Sequence, residues 1–356
     1  TENGHACGHH LFGAASAGAA VAVKEWIKKN GKGTVTFYGT PAEEGGAGKV
    51  YLVRNGAFDD ADVVLHWHPS SANSANATSS LANKSAKFRF YGTASHASAS
   101  PQNGRSALDA VEAMNFMSNL MREHISPDSR LHYVITSGGE APNVVPEYAE
   151  VFYYCRHPEM EEVKKNFGWL VEIAQAAAAG TQTKLEYEVI HGLYNVLPNE
   201  TLSRVMHKNL KSLGGIDYSE EDTDFAKKIS ETLIKPRPIE TASKVLPFQI
   251  IERGRGGSTD VGDVSWVVPT AGLRTATWVP GTSAHTWQAV AAGGTEIGIK
   301  GMMLAAKVLT LTAIDLINDP ITIEKAKQEL LRRRGNNFEY EPLLGDREPP
   351  LDYRKN

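Results

Sequence analysis

The seven residues Gly4-His5-Ala6-Cys7-Gly8-His9-His10 constrain this chain more than any other stretch. They set three histidines and a cysteine within six positions. Imidazole and thiolate are the donors that hold zinc-like and manganese-like cations. Behind them Phe12, Ala15, Ala19, Val23 and Ile27 recur at helical spacing, and Gly31 and Gly33 end that helix. The donors then sit at a helix N-terminus, where the positive end of the dipole favours a thiolate. Any one of these histidines alone reads as a polar loop residue. The cluster reads as a metal site once the downstream residues are added.

Thr34–Tyr38 is rich in β-formers and predicts a strand. It runs into Gly39-Thr40-Pro41-Ala42-Glu43-Glu44-Gly45-Gly46. Adjacent carboxylates at the carboxyl end of a strand stand where open α/β sheets build sites. Neighbours there point to different sides, so one Glu can ligate while the other faces substrate. Taken alone, the pair reads as a solvated acidic turn. A helix over Lys49–Asn55 precedes a short buried strand, Ala61–Leu65, which ends in His66-Trp67-His68-Pro69. His66 and His68 share one side of an extended strand, so either can ligate. Polar donors at successive strand ends predict an α/β fold with a doubly wound, mostly parallel sheet.

A polar Ser/Ala/Asn stretch, Asn73–Lys84, reads as a linker. Beyond it lie a strand at Phe88–Tyr91 and a loop, Gly92–Ser98, carrying His96. Asn103 or Ser106 caps the next helix, whose apolar face is Leu108, Val111, Met114, Met117 and Met121. The methionines read as core rather than as a cofactor box. Strands at Leu131–Ile135 and Tyr148–Tyr154, a helix at Glu159–Ala178 and a strand at Lys184–Ile190 complete a β-α-β-β-α-β unit. It divides the chain into a discontinuous catalytic domain, 1–82 and 193–356, and an inserted α+β domain, 83–192.

After the insertion Thr201–Leu213 reads as helix, and Asp217–Pro238 is polar without a clear pattern. The glycine-rich Gly254–Gly257 lacks the Gly-Lys-Ser/Thr of a P-loop. It leads to Ser258-Thr259-Asp260-Val261-Gly262-Asp263. The loop Gly281–Trp287 carries His285, and Lys300–Ile317 is a patterned helix. The tail Phe338–Asn356, rich in proline and charge, is expected to wrap the surface.

A chain of 356 residues exceeds one ordinary core and suggests about two domains. A net charge of −4 supplies no basic field and argues against nucleic acid as a partner. The two cysteines, Cys7 and Cys155, exclude a disulfide framework and fit a reducing cytoplasm. Leu11–Val23 is short, and Met302–Ile317 is broken by Lys307 and Asp315, so no membrane span is expected.

The order His-x-Cys-Gly-His, a Glu-Glu pair after a strand, a strand-end His and a late loop His resembles the M20 metallopeptidases, in their amidohydrolase branch. Gly4–Gly13 (GHACGHHLFG), Ser258–Trp266 (STDVGDVSW), Gly281–Gln288 (GTSAHTWQ) and Pro342–Tyr353 (PLLGDREPPLDY) carry the likeness across the chain. Two departures stand out. Branch members carry a substantial catalytic segment before the His-Cys-His motif, so a sheet with fewer strands and a site short of one wall are expected here. His10 stands where many members have aspartate.

The resemblance implies two divalent ions per chain, manganese or zinc, on Cys7, His9, Glu44, His66 and His285, with Glu43 as general base. Two such cations polarise an amide carbonyl and lower the pKa of a shared water. The inserted unit matches the family's lid and dimerisation domain, and His96 and Asn143 match positions that reach the substrate. Arg156 is a candidate partner for a substrate carboxylate, with a surface ion pair as its plainer role. The expected reaction is amide hydrolysis of an N-acyl amino acid, p-aminobenzoyl-glutamate first among the candidates, by a homodimer or with a sister subunit. A dipeptidase or aminoacylase is the alternative within the class, and a non-catalytic ligand-binding or regulatory subunit the alternative outside it. A structural zinc module would draw its ligands from paired short spacings, not from Cys7 to His285.

Overall fold

A computed structural model describes residues 4–254 and 256–351. Arg255, the last two residues of Pro342–Tyr353 and the rest of the tail lie outside the described residues. In chain order the elements are α1 (His9–Asn30), α2 (Gly48–Arg54), β1 (Val64–Ser70), β2 (Ala77–Thr78), β3 (Ala82–Tyr91), α3 (Ala107–Met121), β4 (Arg130–Ser137), β5 (Tyr148–His157), α4 (Met160–Thr181) and β6 (Lys184–Leu193). They continue with α5 (Glu200–Leu213), α6 (Glu220–Ser230), β7 (Ile250–Ile251), α7 (Val261–Val267), β8 (Thr270–Ala276), α8 (Trp287–Gly293), α9 (Glu296–Asn318) and α10 (Pro320–Arg334).

α1 begins behind Gly8, which is left-handed at φ 75°. A Cβ on Gly8 would come within 2.8 Å of Pro69, so glycine lets the helix start close to the end of β1. Gly31 ends the helix in the left-handed conformation and donates to the Ile27 carbonyl at 2.7 Å. Of the expected stripe Ala15, Ala19 and Val23 are buried, joined by Leu11, while Phe12 and Ile27 are half-buried at its border. β1 pairs in parallel with β8, from Val64 opposite Thr270 to Ser70 opposite Ala276. Trp67, Ala271 and Leu273 pack into one core with residues of α1, α5 and α9. Val64, on the opposite face, packs with Val53 of α2 and Val264 of α7. Helices thus cover both faces, the arrangement that parallel pairing requires. α9 is long and apolar enough to cross a membrane by length and composition, yet Leu304, Ala305, Val308 and Leu309 belong to this core.

Several local expectations differ, and the strand expected at Ala61–Leu65 runs from Val64 to Ser70 and so contains both histidines. Thr34–Tyr38 is extended but not a strand: no ladder partner meets it among the described residues, and Phe37 is exposed. β-propensity describes fit to a pleated surface, and a strand needs an edge to receive it. The segment instead walls a groove of about 1130 Å³ together with residues of α1, β1, α9 and α10. Asn73–Lys84 is not a free linker. Asn73 is buried, donates to the Ala242 carbonyl at 2.7 Å and accepts from the Ala276 amide at 2.8 Å. Its polarity is satisfied internally rather than by water. The uncertain Asp217–Pro238 region contains α6, begun by a reciprocal capping box between Ser219 and Asp222.

The β-α-β-β-α-β succession folds as an antiparallel sheet in the order β4-β5-β3-β6. Phe88, Phe90, Met114, Tyr153 and Leu170 form its core with α3 and α4, and Ser106 caps α3 by accepting from the Asp109 amide. The tail does more than wrap the surface: Leu343 and Leu344 are buried, and the Glu341 carbonyl accepts from the Tyr194 hydroxyl at 2.6 Å.

Lys49, at the start of α2, is buried against Asp260, at the start of α7. Its ammonium lies 2.9 Å from one carboxylate oxygen and its amide donates to the other at 3.0 Å. Breaking one side of such a pair strands a buried charge. Lys49→Met is expected to cost about 3–5 kcal/mol in denaturant unfolding, and adding Asp260→Leu to recover part of it. Equal stability of Lys49→Met and the parent would show that the pair contributes nothing.

Candidate metal centre

The centre is assembled from four separate places in the chain. Gly4–His10 supplies Cys7 and His9 at the start of α1. The turn before α2 supplies Glu43 and Glu44, β1 supplies His68, and the loop before α8 supplies His285. Donor atoms of Cys7, His9 and His68 lie within 4.8 Å of one another, as do those of Cys7, Glu44 and His285 and those of His9, Glu43 and Glu44. The three groups share members, so they form one continuous cluster of six side chains.

Each donor is held by its backbone. The turn carrying Glu43 and Glu44 lies between Ala42 and Ala47, both left-handed at φ 64° and 52°. Strain of this kind persists where surrounding structure fixes it, and it clusters at functional sites. His285 is left-handed too, at φ 62°, and its amide donates to the Ala6 carbonyl at 2.9 Å, which joins two sequence-distant loops. His191, on β6, donates from Nε2 to the Gly45 carbonyl at 2.8 Å. Its Nδ1 then accepts from the Ser85 hydroxyl at 2.9 Å and the Tyr154 hydroxyl at 3.1 Å. The antiparallel unit is thereby bonded to the Glu43-Glu44 turn.

His68 and His66 share a face of β1, as expected, but only His68 joins the cluster. Its Nδ1 donates to the Pro69 carbonyl at 2.7 Å, which leaves the Nε2 lone pair facing Cys7 Sγ at 3.4 Å. A carbonyl that fixes the tautomer in this way is the usual support of a ligating histidine. His66, the residue the resemblance singled out, lies over Gly272 instead. A Cβ at Gly272 would come within 2.3 Å of its ring, and His66 belongs to none of the donor groups. Depth along β1 separates the two: His68 is nearer the carboxyl end, where Cys7 and His9 arrive.

Charge in the cluster is unbalanced in favour of anions. Burial pushes the Cys7 thiol up to about 12, with the Glu44 and Glu43 carboxylates adding to it. Burial also raises Glu43, reinforced by the charge of Asp260. Burial pushes His68 down to about 4, helped by Arg274, and His66 down to about 3, helped by Lys49. Both imidazoles are therefore neutral at pH 7, the form that ligates. His9 Nε2 is buried without a hydrogen-bond partner, and the nearest carboxylate oxygen, on Glu44, is 3.9 Å away. An orphaned imidazole nitrogen beside thiol, imidazole and carboxylate donors fits a borderline divalent cation, whose charge reverses the local field.

The remaining sequence candidates fall elsewhere. His96 and Asn143 are exposed neighbours in the antiparallel unit: His96 bridges to Val144, and the Asn143 carbonyl accepts from the Ala97 amide at 3.0 Å. Neither joins the donor groups of its own chain. Arg156 makes no surface ion pair among the described residues. Its guanidinium lies over the Tyr154 ring at 5.1 Å, and its Nε is buried without a partner. Sequence reasoning missed His191, Gly272 and the Lys49–Asp260 pair. No local pattern marked them, because the burial of Lys49 and its pairing with Asp260 are set by distant parts of the chain.

The two strand-end histidines give a direct test. His68→Ala should lower metal content after reconstitution, by elemental analysis. His66→Ala should retain metal and alter chiefly thermal stability. The reverse pattern would return His66 to the ligand set.

Residues 80–182 match the model of a peptidase dimerisation domain. The chain is 42% identical over 354 residues to one of the subunits of p-aminobenzoyl-glutamate hydrolase of Escherichia coli (strain K12), covering 92% of this chain and 74% of that protein. It is 34% identical over 332 residues to Xaa-Arg dipeptidase of Mus musculus, covering 92% of this chain and 70% of that one. Among solved structures, the Bacillus subtilis YXEP protein, described as a dinuclear metal binding peptidase from the M20 family, matches with TM-score 0.56 and 16% identity over 88% of this chain and 73% of that one. That last likeness concerns the fold, whereas the first two relatives are similar enough in sequence over most of their length to fix kinship, and the chain belongs to the M20 family of metal-dependent peptidases and amidohydrolases.

Proposed function

We propose that this chain hydrolyses the amide bond of an N-acyl amino acid, with p-aminobenzoyl-glutamate as substrate and p-aminobenzoate and glutamate as products. The observation that carries the reading is the donor cluster with Glu43 at its edge. The substrate follows from the 42% identity to a hydrolase named for it. The 34% identity to an Xaa-Arg dipeptidase supports the second reading, a dipeptidase of the same chemistry. A non-catalytic role is disfavoured because Glu43 and every donor type are in place.

In this reading Cys7, His9, His68, Glu44 and His285 hold two divalent ions, manganese or zinc. Bound ions supply Lewis acidity at the scissile carbonyl and at the attacking water. Glu43 accepts the water's proton on its carboxylate and delivers it to the leaving nitrogen. Its raised proton affinity suits a group that must first take a proton and then release it. Both carboxylates of the Ala42–Ala47 turn reach the His9 imidazole, within 4.8 Å of one another, and in this reading the half-buried Glu43 is the base and Glu44 the ligand. The proposed division is a catalytic domain, 1–82 and 193–356, and a lid and dimerisation domain, 83–192, in a cytoplasmic homodimer or beside a sister subunit. The edge strand β4 supports a pairing surface, with Tyr133, Val134 and Ile135 exposed along it. His96 and Asn143 then reach the partner's site, where a donor that arrives with lid closure stabilises the oxyanion.

Glu43→Gln should keep its metal and lose roughly 10²–10⁴ of turnover on p-aminobenzoyl-glutamate with Mn²⁺ or Zn²⁺. Glu44→Gln should lose metal as well. Wild-type rates in Glu43→Gln would remove it as the base. His96→Ala should lower kcat by roughly 10²–10³ with metal content unchanged. Mixed dimers of His96→Ala and Glu43→Gln chains should regain part of the activity, because one site of the two carries both native residues. Zero activity after demonstrated subunit exchange would place His96 in its own chain's site or outside catalysis.

A further inference from the structure

Arg274 is a cation on the donor face of the parallel pair that no function described so far uses. β8 places it opposite His68 of β1, and registered residues on adjacent parallel strands project to the same side. Two residues earlier Gly272 makes room for the His66 ring, which fixes that side as the one bearing both strand-end histidines. Leu273, between them, points the other way into the helix-packed core. Arg274 remains solvent-exposed beside neighbouring protein rather than buried in the core.

Its electrostatic setting is unusual. Crowding by neighbouring protein lowers its pKa, the charge of Cys7 opposes this, and among the described residues no carboxylate forms an ion pair with it. A thiolate that ligates a divalent ion gives its charge to that ion. Arg274 would then stand beside a cationic centre without an anion of its own. The other cations nearby are committed: Lys49 to Asp260, and Arg156 to the face of Tyr154. A planar guanidinium with a free fork is the group best shaped to take a carboxylate in two parallel hydrogen bonds.

We propose that Arg274 anchors a carboxylate of the substrate's amino-acid half, and so restricts the site to N-acyl amino acids that carry a free carboxylate beside the scissile amide. This inference rests on the hydrolase reading above and adds a specificity-determining residue to it. The anchor lies one strand away from His68, so a ligand held there by its carboxylate is brought to the edge of the donor cluster. A substrate lacking that carboxylate would leave the guanidinium unpaired against the ions, which is how a charged site rejects a neutral analogue.

The test is binding in the Glu43→Gln background, which removes turnover. Metal-loaded Glu43→Gln protein is titrated by calorimetry with p-aminobenzoyl-glutamate and with its diamide, alone and combined with Arg274→Gln, Arg274→Lys or Arg156→Gln. Arg274→Gln should weaken the dicarboxylate by roughly 10²-fold and leave the diamide unchanged. Arg274→Lys should restore part of the loss, as a point charge without the fork, and carries the same comparison if the Gln variant does not fold. Metal content by elemental analysis should not move. The proposal is overturned by equal weakening of both compounds, by loss of metal in Arg274→Gln, which would make the residue a counter-ion for Cys7, by selective loss in Arg156→Gln instead, or by no binding of either compound to the parent. Selective binding through Arg274 in a wild-type protein that cleaves no N-acyl amino acid would refute the hydrolase reading and leave the anchor standing.

Discussion

The buried pair of Lys49 and Asp260 is the interaction on which the rest of the centre depends. Both charges are out of water, so each is tolerable only while the other is in place. Through it the helix that follows the Glu43-Glu44 turn is fixed to the start of α7. One turn further along α7, Asp263 accepts from the Tyr194 amide at 3.0 Å and from the Tyr340 hydroxyl at 2.8 Å. Burial raises Asp263 to about 7, so this carboxyl too is sustained by its partners rather than by solvent. Two carboxylates at one short helix thus tie together the Glu43-Glu44 turn, the chain returning from the antiparallel unit, and the tail. The segment Ser258–Trp266 is a buried clamp around the site and supplies none of its donors.

The clamp matters because the donors come from loops that do not touch in sequence. Loops ordinarily move more than the elements they join. Here the Gly4–His10 loop is bonded to the His285 loop through Ala6, and the Glu43-Glu44 turn is bonded to β6 through His191. Three non-glycine residues in left-handed backbone, Ala42, Ala47 and His285, border the cluster. Their strain is offset by the packing and hydrogen bonds around them, which hold the donors of the cluster together.

The same contacts couple the antiparallel unit to the chemistry. His191 stands on that unit, and its two ring nitrogens reach opposite ways, one to the unit's own hydroxyls and one to the Glu43-Glu44 turn. The unit that carries His96 and Asn143 is thus joined to the Glu43-Glu44 turn through one imidazole.

The sequence by itself determined the local pieces. Left-handed glycines, the period of the buried stripe in α1, the cap at Ser106 and the β-α-β-β-α-β succession are all consequences of neighbours within a few residues, and they stand where expected. The donor types were legible too, because thiol, imidazole and paired carboxylates at element ends are rarely packing residues. Only the tertiary structure decided what depends on distant partners. Thr34–Tyr38 had the residues of a strand but no edge to join. Asn73 had the polarity of a linker but makes three hydrogen bonds to remote backbone. His66 and His68 were equivalent on an isolated strand, and what separated them was Gly272 on a neighbouring strand and Cys7 at the head of a helix. A side chain's role at such a site is set by which other groups share its space, and that is fixed by long-range packing rather than by its own neighbours in the chain.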